Sequence, residues 1–320
     1  MAFRNTLRAQ AVSAGAFLLL TRKDDSMGMK CIFAIMNFDE QLQYLVDEAL
    51  KEDIGDGDHS TLSCIPADVK GKAVLKIKQE GILAGMQVAE KIFNYKEPGS
   101  VFSAFKKDGD EMKSGEKAFE VEAKVYTILQ CERLALNCMQ RMSGIATLTK
   151  QYADKLKGYK AKLLDTRKTT PNFRLLEKEA VRIGGGVNHR FGLYDMIMLK
   201  DNHIDYCGGI EKAIEKAAEY IKTKKPGLKI EVETRSMDDV KRVIAVGKGK
   251  VLRIMLDNFK PEQIVEAVEL IGEDFETEAS GGINLENIQE YAKTGVDYVS
   301  VGALIHQAKS VDLSLKAVIV

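Results

Sequence analysis

Residues 229–258 read KIEVETRSMDDVKRVIAVGKGKVLRIMLDN, in which two short apolar runs flank a helical segment. The first run ends near Glu233 and the second at Asp257, while the segment MDDVKRVIAV between them has apolar residues at helical spacing. A strand that ends in a polar group, followed by a helix leading to the next strand, is the repeating unit of α/β folds. This stretch therefore predicts parallel strands with polar groups at their carboxyl ends.

The same unit recurs through the second half of the chain, at intervals of 22 to 35 residues. The predicted strand ends fall near Asp165, Lys200, Glu233, Asp257, Ser280 and Gly302. Six such ends favour an open, TIM-like (β/α) barrel, because a barrel brings every strand end to one mouth. A doubly wound open sheet is the alternative fold.

The first half of the chain has a different rhythm. Residues 38–52 have apolar positions at helical spacing, residues 70–85 resemble strand, turn and strand, and residues 125–156 are helical throughout. This mixture predicts a smaller α/β domain with an antiparallel sheet over residues 36–142, followed by the barrel over residues 143–308.

Residues 1–35 fit neither part. Two arginines precede the apolar run AVSAGAFLLL, which is too short to span a bilayer. We interpret the segment as a disordered extension or the product of a misassigned start codon, in preference to a targeting signal.

Composition excludes several classes of protein. The chain balances 47 basic against 47 acidic residues and contains no Trp, so neither nucleic acid nor an anionic membrane is expected as a partner. Its five cysteines form no CxxC motif and no zinc-like spacing. Reduced thiols in the cytoplasm are the expectation.

Cations are concentrated in residues 165–203, DTRKTTPNFRLLEKEAVRIGGGVNHRFGLYDMIMLKDNH. Arg167, Lys168, Arg190 and Lys200 would meet at the barrel mouth, and cations held together favour a ligand with several negative charges. The alternative is a solvated rim whose cations pair with Glu177, Glu179 and Asp195. For Arg174, Lys178 and Arg182, such structural pairing explains the positive charge as well as ligand binding does.

Two carboxylates end apolar strands, where a charge is normally disfavoured. Glu233 and Asp257 could bind ribose hydroxyls, hold Mg²⁺ through oxygen ligands, or stabilise a developing positive charge. A salt bridge to Lys168 or Lys200 is the structural alternative. Glu231, two residues earlier on the same strand face, is a further candidate.

Glycine-rich loops follow the last two predicted strands. Ser280, Gly281 and Gly282 form one loop, and Gly302 lies in the other. Barrel enzymes commonly bind phosphate at this position through backbone N–H groups, although a tight turn also explains the SGG run.

The histidines suggest more limited roles. We expect His189 to donate a hydrogen bond to substrate and His203 to orient its loop. No Ser/His/Asp or Cys/His triad can be assembled, and the glycines at 184–186 do not lead from a strand into a helix, which excludes a dinucleotide fingerprint.

Several longer motifs accompany the 165–203 block. They are EDIGDGDHST, EGILAG, ERLALNCMQRMSGIAT, EVETR, MLDN, EASGGINLENI and DYVSVGAL. Together they resemble the quinolinate phosphoribosyltransferases, the nicotinate-nucleotide pyrophosphorylases of NAD synthesis, from Met36 to Val320. The resemblance implies an N-terminal α/β sandwich and an open barrel, with residues 309–320 returning to the sandwich.

The resemblance also implies site roles. Arg133, Arg167, Lys168, His189, Arg190 and Lys200 would bind quinolinate; Glu233, Asp257, Ser280, Gly281, Gly282 and Gly302 would bind phosphoribosyl pyrophosphate. Lys168, Glu233 and Asp257 would be catalytic, and Mg²⁺ held by Glu233 and Asp257 would accompany the sugar donor, without an organic cofactor. A homodimer is expected, or a higher oligomer, in which Arg133 reaches the partner's site.

The implied reaction is decarboxylating phosphoribosyl transfer to quinolinate. Two alternatives remain open: a molybdenum-associated phosphoribosyltransferase homologue with another acceptor, and a non-catalytic barrel that binds phosphometabolites. The adjacent NHR and TRKT clusters favour a dicarboxylate acceptor, and paired strand-end carboxylates favour catalysis over binding alone.

Overall fold

The computed structural model describes residues 37–318 of the 320-residue chain. The predicted extension, residues 1–35, lies outside this range. The elements of the first half are α1 (Phe38–Ile54), α2 (His59–Cys64), β1 (Lys70–Ile77), β2 (Gly81–Ile82), α3 (Met86–Lys96), β3 (Val101–Ala104), β4 (Glu111–Met112), β5 (Lys117–Lys124) and α4 (Val125–Lys155).

The second half alternates strands with helices, as predicted. Its elements are β6 (Lys162–Leu164), α5 (Arg174–Ile183), β7 (Ile197–Leu199), α6 (Asp201–Cys207), α7 (Ile210–Lys224), β8 (Ile230–Thr234), α8 (Met237–Gly247), β9 (Arg253–Asp257), α9 (Pro261–Ile271), β10 (Glu276–Ser280), α10 (Ile288–Ala292), β11 (Tyr298–Ser300), α11 (Ala303–His306) and β12 (Leu313–Val318).

Strand order decides between the two folds that the sequence allowed. Six parallel strands pair in the order β6-β11-β10-β9-β8-β7. Each strand from β7 to β11 lies beside the next in the chain, and the last, β11, pairs with the first, β6. A sheet in which the last strand pairs with the first curves toward a barrel, whereas in a doubly wound sheet the strand order reverses at a central switch point. The open (β/α) barrel is therefore confirmed, and β6 and β7 form its two edges.

The two faces of the barrel strands differ in polarity because successive side chains point to opposite faces. Val232, Ile254 and Ala279 lie on the face that helices cover and are fully buried. The register aligns Glu231 with Arg253 on the other face. Charged side chains therefore fill much of the barrel interior, where aliphatic layers are usual.

The N-terminal part contains the predicted antiparallel sheet, in the order β12-β1-β5-β3. Its core includes Phe102 and Phe119, whose stacked rings have centroids 4.4 Å apart. The C-terminal strand β12 pairs with β1, with Leu315 opposite Leu75. The last segment of the chain thus completes the sheet formed by the first.

Residues 70–85 form the predicted strand, turn and strand, as β1 and β2. The two strands do not pair with each other, because β2 pairs with β4, through Gly81 and Met112. Both edges of β1 are already occupied, by β5 and β12. No edge of β1 remains for β2.

The longest helix, α4, joins the two parts of the chain. It packs against β1, β5 and β12 on one side and against α5 of the barrel on the other. A Cβ atom at Gly184, at the end of α5, would lie 2.5 Å from the Ala146 carbonyl oxygen of α4. The glycine run thus permits close helix packing. Because α4 crosses residues 142–143 without a break, the domain limits stay a prediction.

No helix within residues 37–318 is both long enough and apolar enough to cross a membrane. The four cysteines in this range are free thiols. Burial raises the pKa of Cys131 and of Cys138 to about 12, so neither is a reactive thiolate at neutral pH.

Candidate active site

The carboxyl ends of the parallel strands meet at one edge of the barrel. The predicted strand-end positions all lie within two residues of these ends: Asp165, Lys200, Glu233, Asp257, Ser280 and Gly302. The register sets Ser280 beside Asp257 and aligns Glu233 with Met255, two residues before Asp257. Since side chains two residues apart share a face, Glu233, Asp257 and Ser280 face the same interior.

Two guanidinium groups at this mouth lack a carboxylate partner within residues 37–318. Arg190 donates only weakly, to the Met196 carbonyl oxygen at 3.4 Å and the Met198 sulfur at 3.5 Å. Arg167 has a buried Nε with no hydrogen-bond partner among the described residues. Burial, followed by the nearby positive charge of Arg167, lowers the pKa of Arg190. A bound anion would relieve both effects.

The acidic residues that could have neutralised these cations are engaged elsewhere. Glu177 pairs with Arg141 at 2.8 Å, and Glu179 pairs with Arg182 at 2.6 Å. Asp195 accepts hydrogen bonds from the backbone N–H groups of residues 191 and 192. Arg167 and Arg190 therefore do not pair with these three carboxylates.

The remaining basic residues of the 165–203 block have structural contacts. Arg174 donates to the Thr169 hydroxyl at 2.9 Å and to the Phe191 carbonyl oxygen at 3.0 Å. Lys178 is buried against Asp165, with Nζ 2.6 Å from Oδ1. Arg182 forms the exposed pair with Glu179.

Lys168 lies between the first and last loops of the barrel mouth. A Cβ atom at Gly302 would lie 3.0 Å from Lys168 Cδ and 3.3 Å from His306 Nε2. A cavity of about 440 Å³ opens beside them, lined by Arg141, Lys168, Thr169, Thr170, Ile305 and His306. The structure thus brings Lys168 to the glycine loop predicted to bind phosphate.

Lys200 forms an ion pair with Glu233. This is the structural alternative to ligand binding that the sequence offered for that carboxylate. His203 accepts a hydrogen bond from the Lys200 backbone N–H at 3.1 Å, which fits the predicted role of orienting this loop. Asp257 accepts a hydrogen bond from the Asn258 side chain at 2.7 Å. Both strand-end carboxylates are therefore held in place by neighbouring donors.

The loop after β10 packs tightly on the end of β9. Asn258, in the left-handed region at φ 58°, donates its N–H to the Ser280 carbonyl oxygen at 2.8 Å. A Cβ atom at Gly281 (φ 96°) would lie 2.2 Å from Asn258 Oδ1. Only glycine fits there. The next helix, α10, begins at residue 288, so the loop itself, and not a helix end, offers its N–H groups.

His189 lies against two carboxylates of the barrel interior. Its side chain is 5% exposed, and Nε2 lies 2.9 Å from Glu231 Oε2 and 3.4 Å from Glu278 Oε2. Within residues 37–318, Nε2 makes no hydrogen bond of standard geometry. Although burial opposes protonation, the two carboxylates raise the pKa of His189 to about 9. The two carboxylates therefore favour the protonated ring.

Two further members of this interior cluster, Arg253 and Glu278, were not predicted from the sequence. Arg253 Nη1 lies 2.9 Å from Glu278 Oε2, and the Arg253 guanidinium stacks on Tyr298 at 4.0 Å from the ring centroid. The sequence does place charged residues at alternating positions of strands whose two faces are both buried. They could have indicated a barrel with a polar interior.

Arg133 stands apart from these groups. It is exposed on α4 and has no hydrogen bond or ion pair with any residue between 37 and 318. The Arg133 guanidinium thus has no partner in the part of the chain that the structure describes.

Two protein-family models together match most of the chain. The model described as the N-terminal domain of quinolinate phosphoribosyl transferase matches residues 58–143, and the C-terminal domain model matches residues 145–316. The chain belongs to the quinolinate phosphoribosyltransferase family.

Curated relatives agree with this assignment. The quinolinate phosphoribosyltransferase [decarboxylating] 2 of Nicotiana glauca is 43% identical over 288 residues, covering 86% of this chain and 82% of the relative. The probable nicotinate-nucleotide pyrophosphorylase [carboxylating] of Bacillus subtilis is 42% identical, covering 86% and 93%.

Solved structures of the quinolinate phosphoribosyltransferase family share the fold. The crystal structure of NadC from Streptococcus pyogenes superposes with a TM-score of 0.80 at 42% identity, covering 86% of this chain and 95% of that one. The fold and the family expected from the sequence are therefore both confirmed.

Proposed function

We propose that this chain transfers the phosphoribosyl group of phosphoribosyl pyrophosphate to quinolinate and decarboxylates the product. The products would be nicotinate mononucleotide, pyrophosphate and CO₂, in de novo synthesis of NAD. The observation that carries the proposal is the pair of Arg167 and Arg190, two partly buried guanidiniums without a carboxylate partner among the described residues. A planar dicarboxylate supplies the two anionic groups that such a pair lacks.

Acceptor binding would use the cations of the barrel mouth. Arg167 and Arg190 would each bind a carboxylate through a bidentate fork, while Lys168 and Lys200 would add compact positive charge. His189 lies beneath this group and in its protonated form would add to the positive field. Arg133 would come from a second subunit of a homodimer or higher oligomer.

Donor binding would use the carboxyl ends of β8 to β11. Glu233 and Asp257 would face the ribose, while backbone N–H groups of the loops containing Ser280, Gly281, Gly282 and Gly302 would hold the 5′-phosphate. The Lys168 side chain lies beside Gly302, so it would reach groups of both substrates.

The residues present also suit Mg²⁺. Glu233 and Asp257 offer carboxylate oxygens from adjacent strands on the same face, the hard ligands that this ion prefers. When bound with the donor, the ion would neutralise charge on the pyrophosphate leaving group. The reaction needs no organic cofactor.

Group transfer would proceed by displacement at the ribose. The lone pair of the pyridine nitrogen forms a bond to C1, and the C1–O bond to pyrophosphate breaks with its electrons leaving on oxygen. Positive charge grows on the sugar as that bond lengthens. Glu233 and Asp257 would stabilise it electrostatically.

Decarboxylation would follow on the same ring. The ring nitrogen is now quaternary and positive, so it accepts the electron pair left when the carbon–carboxylate bond beside it breaks and CO₂ departs. A proton from solvent then replaces the carboxylate. Because the substrate provides its own electron sink, the chain needs no strongly perturbed general base.

A CO₂-release assay tests this function. The full chain is incubated with carboxyl-labelled quinolinate, Mg²⁺ and phosphoribosyl pyrophosphate, with nicotinate as a parallel acceptor. Release that depends on the donor, without reaction of nicotinate, is the expected result. Donor binding without CO₂ release would instead point to another acceptor.

The cytoplasmic location expected from the cysteine pattern stays a prediction. Some curated relatives are named mitochondrial or chloroplastic.

A further inference from the structure

An ion pair behind the barrel mouth connects segments that carry opposite ends of the candidate site. Arg141, on α4, donates from Nε and Nη2 to Glu177 Oε1, at 3.0 and 2.8 Å. Glu177, on α5, is fully buried. Helix packing alone does not require a charge at a position that is completely removed from solvent.

Glu177 also fixes the loop that follows β6. Its Oε2 accepts a hydrogen bond from the Thr170 backbone N–H at 2.7 Å, and Oε1 accepts one from the Thr170 hydroxyl at 3.0 Å. Thr170 lies two residues after Lys168 and three after Arg167. The carboxylate therefore anchors the segment that carries two of the mouth cations.

Arg141 anchors the segment that follows β11 in the same way. Nη1 donates to the Ala308 carbonyl oxygen at 2.7 Å, and Nη2 donates to the Ile305 carbonyl oxygen at 2.8 Å. This segment begins at Gly302, against which Lys168 packs. Every nitrogen of the guanidinium donates to the protein, so the group is committed to holding backbone.

We propose that Arg141 and Glu177 are positioning residues, which set the distance between the Lys168 loop and the Gly302 segment. This inference rests on the proposed function, since it assigns those two segments to the acceptor and to the donor phosphate. The reaction requires the ring nitrogen and ribose C1 to be aligned. A network that ties both segments to one ion pair maintains that alignment by holding their backbones.

The test compares three full-length variants. Glu177→Gln preserves size but removes the negative charge that both loops share. Thr170→Val removes one hydroxyl contact and leaves the backbone N–H bond, so it disturbs folding least. Glu179→Gln is the matched control, because it alters an exposed ion pair, with Arg182, two positions along the same helix.

The measurements are kcat and the KM for each substrate, taken below the melting temperature of each variant and corrected for the folded fraction. We expect Glu177→Gln to lower kcat by about 10²-fold, the effect of a misplacement near 1 Å. Thr170→Val should lower kcat by a few-fold, and Glu179→Gln should match the unmodified chain. A purely structural role would lower the melting temperature but leave kcat per folded molecule unchanged.

Equal kcat and KM values in all three variants would overturn the proposal. If Glu177→Gln does not fold, Thr170→Val decides by itself. If the unmodified chain releases no CO₂ from quinolinate, the proposed function fails. The variants are then compared by calorimetry, which measures their affinity for Mg²⁺ and phosphoribosyl pyrophosphate. There the positioning role predicts binding about tenfold weaker in Glu177→Gln, and equal affinities would refute it.

Discussion

His189 and Glu231 form a buried ion pair inside the barrel, with Nε2 2.9 Å from Oε2. The pair belongs to a cluster that also contains Glu278 and Arg253, and it lies directly below the strand-end residues of the mouth. In this barrel the interior is held together partly by charge, which makes its stability depend on pH.

The first prediction concerns that dependence. The pKa of His189 is raised from 6.5 to about 9, so the imidazolium stabilises the fold fully below pH 6.5, and this contribution is lost as the pH rises through about 9. At about 1.4 kcal/mol per pKa unit, the loss is on the order of 3 kcal/mol. Urea unfolding between about pH 5.5 and pH 10 should show it in the unmodified chain and not in His189→Gln.

A control for the histidine experiment is His59→Gln, which alters an exposed histidine in the first half of the chain. It should keep the pH dependence of the unmodified chain. An unchanged slope in His189→Gln would show that this imidazole is not the titrating group.

The second prediction concerns the buried ion pair of Lys178 and Asp165. Lys178→Met should lower the free energy of unfolding by about 3–5 kcal/mol, because it leaves the Asp165 carboxylate buried without its cation. The double variant with Asp165→Asn should recover much of the loss. Chemical denaturation measures both, and a double variant no more stable than the single one would contradict this explanation.

The third prediction compares Arg167, a mouth arginine, with Arg182, an arginine of an exposed ion pair. Arg167→Lys should raise the KM for quinolinate by about tenfold or more, because a lysine cannot reproduce a bidentate carboxylate contact. Steady-state kinetics would show it. Arg182→Lys, in the exposed pair with Glu179, should leave that KM unchanged.

The fourth prediction concerns the phosphate loop. Gly281→Ala should raise the KM for phosphoribosyl pyrophosphate strongly, since its Cβ would collide with Asn258 and displace the loop. Gly272→Ala is the control: Gly272 also has positive φ, but nothing lies within 4 Å of its Cβ position. That variant should lose only about 1–2 kcal/mol of stability through backbone strain. Similar donor KM values in the two variants would argue against the loop's role.

The fifth prediction concerns the second subunit. Lys168→Ala and Arg133→Ala should each lower turnover by about 10²–10³-fold through lost electrostatic stabilisation. If Arg133 acts in the partner's site, subunit exchange between the two inactive variants should restore about a quarter of the unmodified activity, because half of the randomly mixed dimers would have one intact site. No recovery after verified exchange would place Arg133 in its own subunit's site or outside the site.

The strand ends were predictable because their signal is local. An apolar run that stops at Glu233, Asp257 or Ser280 can be recognised from a few residues, and parallel strands necessarily bring such ends together. The long helix from Val125 was predictable for the same reason, since helical spacing persists over many turns.

Partners of individual side chains were not predictable. His189 and Arg190 are neighbours in the sequence, yet His189 packs against carboxylates of β8 and β10 while Arg190 lies near Arg167. Likewise, nothing local distinguishes Glu177, which is fully buried, from Glu179, which forms an exposed pair. Such choices depend on which surfaces meet when distant elements pack.

The sequence by itself determined the repeating βα units, the polar ends of their strands and the family, because each is encoded in short-range spacing or in motif identity. Only the tertiary structure decided that β11 pairs with β6, that β12 completes the first sheet, and that charges fill the barrel interior. The two strand pairings join residues more than a hundred positions apart, and the interior cluster joins side chains of different strands. At such separations pairing geometry and burial, rather than local preference, set the free energy.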